Sequence, residues 1–250
     1  DVDAVMIASP DHHHAFQLEA TAKAGKHVYV EKPMARNMQE LTAAVDAVKA
    51  AKIVVQVGTQ TRSLPVMTGC HELWKSGLLG KASRIEQCRN SDKPYWYGYV
   101  KAHLPKSADV KREDIDWKEF LGNAPERPFS ADVLTGWYGY LDYTDGPVTN
   151  LGCHFIDLYS YITGAQFPAS CVCNGGIFTW KDEYRFTCPD HVEALWVYPE
   201  GFMAAYSSNL GNSGGSRTRF FCEKGQLVLD NLSAPNYTAD GGPKRDGAIR

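Results

Sequence analysis

Three short apolar runs, the first two each followed by a polar exit and a stretch of helical periodicity, most limit how this chain can fold. They are Val5-Met6-Ile7-Ala8, His27-Val28-Tyr29-Val30 and Ile53-Val54-Val55-Gln56-Val57-Gly58. Nearly continuous apolar strands alternating with helices predict a parallel sheet covered on both faces. Between the first two runs, Asp11 is placed to cap a helix that carries Ala15, Leu18 and Ala22 on one face and stops at Gly25. Asn37, with Glu40 three residues later, reads as a capping box for a second helix bearing Leu41, Val45 and Val48 at helical spacing.

Open parallel sheets bind ligands beyond the carboxyl ends of their strands. Those ends carry Ser9-Pro10, Glu31-Lys32-Pro33 and Thr59-Gln60-Thr61-Arg62. Pro33 fixes the backbone at its exit, which makes Lys32 a candidate catalytic group. A surface lysine in a strand-to-helix loop is the plainer reading of so short a motif. No G-x-G-x-x-G follows a strand pattern; Gly211-Asn212-Ser213-Gly214-Gly215 lies between two strand patterns and reads as a loop. The expectation is the second half of a Rossmann dinucleotide-binding domain over residues 1–62. Its other half is expected upstream of Asp1, in a chain cut short at both ends.

Residues 63–250 are expected to form an α+β domain with a largely antiparallel open sheet. A helix over 63–76 shows Val66, Cys70, Leu73 and Trp74 on one face before Gly77, and a strand follows over 81–89. Residues 90–146 are rich in Tyr, Trp, Pro and charge, with a short helix near Trp117-Lys118-Glu119-Phe120-Leu121. Such segments line sugar- or ring-binding clefts, and equally pack a loop onto a sheet. Strand patterns recur over 171–180, 192–198, 202–208, 217–223 and 226–230, punctuated by Pro199-Glu200-Gly201 and Lys224-Gly225. Residues 231–250 lose periodicity and read as a loop.

A second constellation is Thr149-Asn150-Leu151-Gly152-Cys153-His154-Phe155-Ile156-Asp157-Leu158. Leu151, Phe155, Leu158 and Ile162 recur at helical spacing, so Asn150 and His154 project from one side at the amino end of a helix. Histidine is the usual general acid and base near neutral pH. Purely structural roles also fit: Asn150 as an N-cap, His154 as a packed ring bonded to it, Asp157 as a solvated carboxylate.

A formal net charge of −3 with scattered Lys and Arg gives no field for nucleic acid or an anionic membrane surface. No apolar stretch approaches the roughly 20 residues needed to span a bilayer. Seven irregularly spaced cysteines argue against a disulfide framework and fit a reducing compartment. Cys171 and Cys173 lack zinc-knuckle spacing, so no metal site is expected and buried structural thiols are favoured. A cytoplasmic location follows, with periplasmic export left open because the chain starts without Met.

Taken together, Asp3-Ala4-Val5-Met6-Ile7-Ala8-Ser9-Pro10-Asp11-His12-His13-His14-Ala15, Ala24-Gly25-Lys26-His27-Val28-Tyr29-Val30-Glu31-Lys32-Pro33, Val57-Gly58-Thr59-Gln60-Thr61-Arg62, Ser76-Gly77-Leu78-Leu79-Gly80-Lys81 and the His154 helix resemble the glucose-fructose oxidoreductase, inositol dehydrogenase and rhizopine-catabolism (Gfo/Idh/MocA) family. The resemblance is strong over residues 3–165 and one of character beyond. It implies an NAD- or NADP-dependent oxidoreductase acting on a sugar or polyol, whose second domain often forms a homo-oligomer through its sheet. Lys32 and His154 match the family's catalytic lysine and histidine. Ser9, Pro10, His14, Glu31, Lys32 and Gln60 match positions along the cofactor's ribose and nicotinamide. Asn150 departs from the pattern, standing where the family commonly has an aspartate; an amide orients a ring or a hydroxyl but supplies no charge. That departure keeps two other readings open: a redox-neutral enzyme of the family, such as a glycoside hydrolase with tightly bound NAD, and a binding relative without catalysis.

Overall fold

The computed structural model describes residues 2–98, 104–181 and 183–239. The chain forms two compact units, one built from Asp1–Thr59, Pro94–Cys153 and Trp180–Pro189, the other from Gln60–Lys93, His154–Thr179 and Asp190–Arg250.

In the first unit, strands β1 (Ala4–Ile7), β2 (His27–Val30) and β3 (Val55–Val57) lie in that order in a parallel sheet. Backbone bonds continue past the strand ends, from Glu31 N to Ile7 O (2.9 Å) and from Gly58 N to Val30 O (2.8 Å). The three exits therefore sit side by side at the carboxyl edge. Helices α1 (His14–Lys23) and α2 (Met38–Ala51) supply Leu18 and Ala44 to a core with Ile7, Val28 and Val30. Asn37 caps α2 as its sequence foretold, accepting from Glu40 N at 2.9 Å, and Gly25 takes the left-handed φ of +69° that ends the α1 segment. The double cover is not complete within this unit: Met6, on the strand face opposite Ile7, is 74% exposed. Four-residue strands alternate their side chains, and both helices pack on the same core cluster.

The aromatic segments of this unit mostly pack on one another. Trp117, in the short helix Trp117–Leu121, stacks on Phe120 at 5.0 Å, and its indole N–H donates to Arg127 O. Tyr97, Tyr140, Tyr184 and Phe186 form a ring cluster, and Gly139 is required there because a Cβ would overlap the Phe186 ring.

The second unit is built on a seven-stranded sheet. Its strands are β4 (Ala82–Asn90), β5 (Ser170–Gly176), β6 (His191–Tyr198), β7 (Phe202–Asn209), β8 (Arg217–Cys222), β9 (Gln226–Val228) and β10 (Asn236–Thr238). The spatial order is β10-β9-β8-β4-β7-β6-β5, antiparallel throughout except for the β4–β7 pair. Strict alternation in β6 buries Val192, Ala194, Trp196 and Tyr198 and exposes Glu193, Leu195 and Val197. Helices α3 (Pro65–Lys75) and α4 (Cys153–Thr163) cover the buried face: Trp74 and Tyr159 both pack edge-on against Phe220, and the Tyr159 hydroxyl donates to Ala205 O at 3.2 Å.

Two further expectations are corrected. Cys171 and Cys173 are exposed, because β5 is the outermost strand and neither of its faces is covered along that stretch. Asn236–Thr238, within the segment read as loop, pairs with β9; its three residues are too few to show a period. Residues 240–250 of that loop reading lie outside the described residues.

Leu18 is fully buried between α1 and the sheet. Leu18→Ala is expected to lower the unfolding free energy by about 2–5 kcal/mol, as the lost apolar burial and the cavity left behind add. Urea titration with an unchanged m-value checks this.

Candidate active site

Lys32 leaves β2 at the carboxyl edge, joined to Pro33 by a cis peptide bond. Two neighbours hold this exit. His14 places Nδ1 at 2.7 Å from Pro33 O and Nε2 at 2.8 Å from Ser9 O, so one ring ties the exits of β1 and β2 together. A neutral ring satisfies one of the two carbonyls, and the doubly protonated ring both. Glu31 accepts from the Tyr29 hydroxyl at 3.1 Å and from Lys32 N at 3.2 Å. Gly58, on the neighbouring exit, leaves these groups their room: a Cβ there would lie 2.8 Å from the Tyr29 hydroxyl and 2.9 Å from Glu31 Oε1, so both side chains would have to shift.

The Lys32 ammonium donates to Asn150 twice, to the side-chain Oδ1 at 3.1 Å and to the backbone carbonyl at 3.2 Å. Asn150 is not an N-cap. It lies inside a π-helical turn, Pro147–Gly152, that runs into α4, and it is buried. Its Nδ2 donates to Asp11 Oδ2 at 2.6 Å, and the Tyr138 hydroxyl donates to its Oδ1. Thr144 Oγ1 donates to the same Asp11 oxygen at 2.6 Å. Asp11 therefore does not cap α1, as its position suggested. It opens a 3-10 turn, Asp11–His13, with its carboxylate turned inward at 4% exposure. Burial raises its pKa above the ordinary carboxylate value, opposed by hydrogen bonds from Thr144 and Asn150 and by the charges of His14 and Lys32.

A second clamp lies beside this network. Arg36 donates to Asp142 O at 2.6 Å, to Leu141 O and to Asp145 Oδ1 at 2.9 Å, fixing the 141–145 loop from which Thr144 projects. Asp11, Tyr138, Thr144 and Arg36 were not among the sequence-derived candidates. Their importance comes from contacts more than 100 residues apart in most cases, for which one sequence carries no signal.

Of the other candidates, the Ser9 hydroxyl donates to Gln17 Oε1 at 2.8 Å, and Pro10 precedes the Asp11 turn. Gln60 and His154 belong to the second unit. Gln60 opens a 3-10 turn, Gln60–Ser63, that grips α4: Arg62 makes a two-pronged ion pair with Asp157, both contacts at 2.5 Å, and Thr61 Oγ1 lies 3.5 Å from His154 Nδ1. Asp157, read as solvated, is thus the partner of Arg62. Among the described residues no cluster of His, Cys, Asp or Glu has the arrangement of a metal site.

Three family models fit the chain: an oxidoreductase family, NAD-binding Rossmann fold, over residues 1–59; an oxidoreductase family, C-terminal alpha/beta domain, over 66–172; and, overlapping it, the GFO/IDH/MocA C-terminal domain over 121–228. The chain belongs to the Gfo/Idh/MocA oxidoreductase family. Among curated members, the levoglucosan dehydrogenase of Pseudarthrobacter phenanthrenivorans is 40% identical over 183 residues, 73% of this chain and 37% of its own length. The MocA rhizopine catabolism protein of Rhizobium meliloti is 30% identical, covering 79% of this chain and 63% of its own length. The chain thus spans between about a third and two thirds of these relatives. In fold, it matches the WlbA dehydrogenase of Bordetella pertussis, solved with NADH and UDP-GlcNAcA, with a TM-score of 0.72 at 18% identity, over 97% of this chain and 65% of that one. An Azotobacter vinelandii inositol dehydrogenase homologue, solved with NADH and myo-inositol, gives 0.67 at 20% identity, over 97% and 55%.

In this family member, His12 and His13 both point Nε2 at the carbonyl of Phe120, at 2.7 and 2.9 Å. Burial lowers the His12 pKa to about 4, against a partial offset from the Phe120 carbonyl. An unfolded histidine takes up its proton near pH 6.5, so between about 6.5 and 4 the unfolded state binds the extra proton. Stability is therefore complete above the unfolded value and falls as pH drops toward 4. Denaturant titrations across that window should show the decline, and His12→Gln should reduce it, with the part due to His13, whose pKa burial also lowers, remaining.

Proposed function

We propose that the chain carries the reaction centre of an NAD(P)-dependent oxidoreductase that transfers a hydride between the nicotinamide and a sugar, polyol or related secondary alcohol. The observation that carries this reading is the placement of the Lys32 ammonium: it stands at the carboxyl edge of a parallel sheet, where such folds bind ligands, with two of its three donors committed to Asn150.

The residues present fit the nicotinamide end of a dinucleotide. Three strand exits lie side by side, Gly58 keeps the third free of a side chain, and Glu31, Ser9 and Lys32 supply polar groups there. Ser9, Pro10, Glu31, Lys32 and Gln60 are assigned to hold it. His14 contributes by fixing the Ser9 and Pro33 carbonyls that its ring contacts. When bound, the nicotinamide supplies a hydride acceptor or donor.

The remaining chemistry falls to side chains. Oxidising a secondary alcohol requires its hydroxyl proton to leave, and His154 is assigned that proton as general base. Lys32 is assigned the negative charge that develops on the oxygen, which its remaining N–H stabilises. Asn150 holds the ammonium in place. The assignment of sugar-like substrates is supported by relatives named levoglucosan and inositol dehydrogenases.

The test is turnover by the full chain with NAD or NADP against a panel of sugars, anhydro-sugars and inositols, following reduced nicotinamide and sugar products together. Net reduced cofactor supports the proposal; sugar release without it supports the redox-neutral alternative. Lys32→Met is expected to lower kcat by about 100- to 1000-fold with the thermal transition retained.

The exposed face of the large sheet is assigned to self-association. Val172, Leu195, Val197 and Met203 form an apolar patch across β5, β6 and β7, where Val172 pairs with Leu195 and Val197 with Met203. Val197→Lys should shift the protein to a smaller species in light scattering coupled to size exclusion.

A further inference from the structure

We propose that Asp11 is a positioning residue for Lys32, acting through the Asn150 amide, and that its carboxylate supplies the negative charge against which the ammonium is held. This rests on the reading of Lys32 as the group that stabilises charge on the substrate oxygen.

The amide links two opposite charges in a fixed direction. Asn150 Nδ2 donates to Asp11 Oδ2 at 2.6 Å, while Oδ1 accepts from Lys32 Nζ at 3.1 Å and from the Tyr138 hydroxyl. Turning the amide over would set a carbonyl oxygen against a carboxylate and an NH₂ group against an ammonium, both repulsive. Asp11 thereby decides that Asn150 offers an oxygen to Lys32.

The carboxylate is itself built into the fold. It is almost fully buried, and Thr144 Oγ1 holds the same oxygen at 2.6 Å. A buried carboxylate needs donors and a nearby positive charge to stay ionised. Burial works against that charge and raises the pKa, and Thr144, Asn150, His14 and Lys32 are the groups that favour the charged form. A buried acid that served only to cap its own helix would face that helix's N–H groups, whereas Asp11 Oδ2 accepts from Thr144 and Asn150, more than 130 residues away.

The test exchanges the two end groups in the full chain. Asp11→Asn should lower kcat about 10- to 100-fold with a small change in KM, since a misplacement of about 1 Å carries that order of loss. It should also raise the acetylation of Lys32 by dilute acetic anhydride without cofactor, read by mass spectrometry. Asn150→Asp alone would set two carboxylates in contact and should also lower kcat. The exchange Asp11→Asn with Asn150→Asp restores one carboxylate and one amide, and should recover both kcat and the parental labelling of Lys32. Thr144→Val, which removes a donor from Asp11 and keeps the side chain's shape, should give an intermediate rise in labelling if Asp11→Asn does not fold.

Parental kcat and labelling in a folded Asp11→Asn variant, or in Thr144→Val if Asp11→Asn does not fold, would overturn the proposal. So would an exchange variant no better than Asp11→Asn. If Lys32→Met keeps full kcat, the catalytic reading of Lys32 fails, while the labelling experiment still decides whether Asp11 holds it.

Discussion

The buried carboxylate of Asp11 is the constraint on which the candidate site depends. Taking it out of water is costly unless donors and a positive charge surround it, and the chain supplies them from three places: Thr144 on a loop, Asn150 in a π-helical turn, and Lys32 one link further on. The edge of the sheet and the 138–150 segment are thereby held together by polar groups that satisfy one another. Arg36 repeats the device a few residues away, binding the carbonyls of Leu141 and Asp142 and the Asp145 carboxylate with one guanidinium.

This arrangement gives Asn150 a use that its sequence context concealed. Seen along the chain, an amide in place of a carboxylate reads as a loss of charge near His154. In the fold the amide is paired with a carboxyl group, that of Asp11, at 2.6 Å.

What was legible in the sequence was local. The Asn37 cap, the left-handed Gly25, the strands of the large sheet and the short helix at Trp117 all follow from spacing and turn chemistry within a few residues. The misreadings share a different cause. Asp11 has the residue type and position of a cap, but its carboxylate was claimed by Thr144 and Asn150, more than 130 residues downstream. Cys171 and Cys173 have the composition of buried thiols, yet whether a strand is outermost depends on sheet order, which no local pattern encodes. The aromatic stretch around Tyr138 read equally as packing and as lining; in the fold Tyr140 is buried, while the Tyr138 hydroxyl donates to Asn150.

His14 also bears on how such a site can change. Its ring spans two strand exits through their carbonyls and is almost entirely enclosed. Residues that line a cleft can vary one at a time as a substrate preference drifts. A residue that sets the spacing of the strand exits themselves shifts every group they carry at once. Libraries intended to broaden what this centre accepts should therefore draw on exposed positions and leave His14 and Arg36 unvaried, since a replacement there would reshape the platform before any new preference could be read from it.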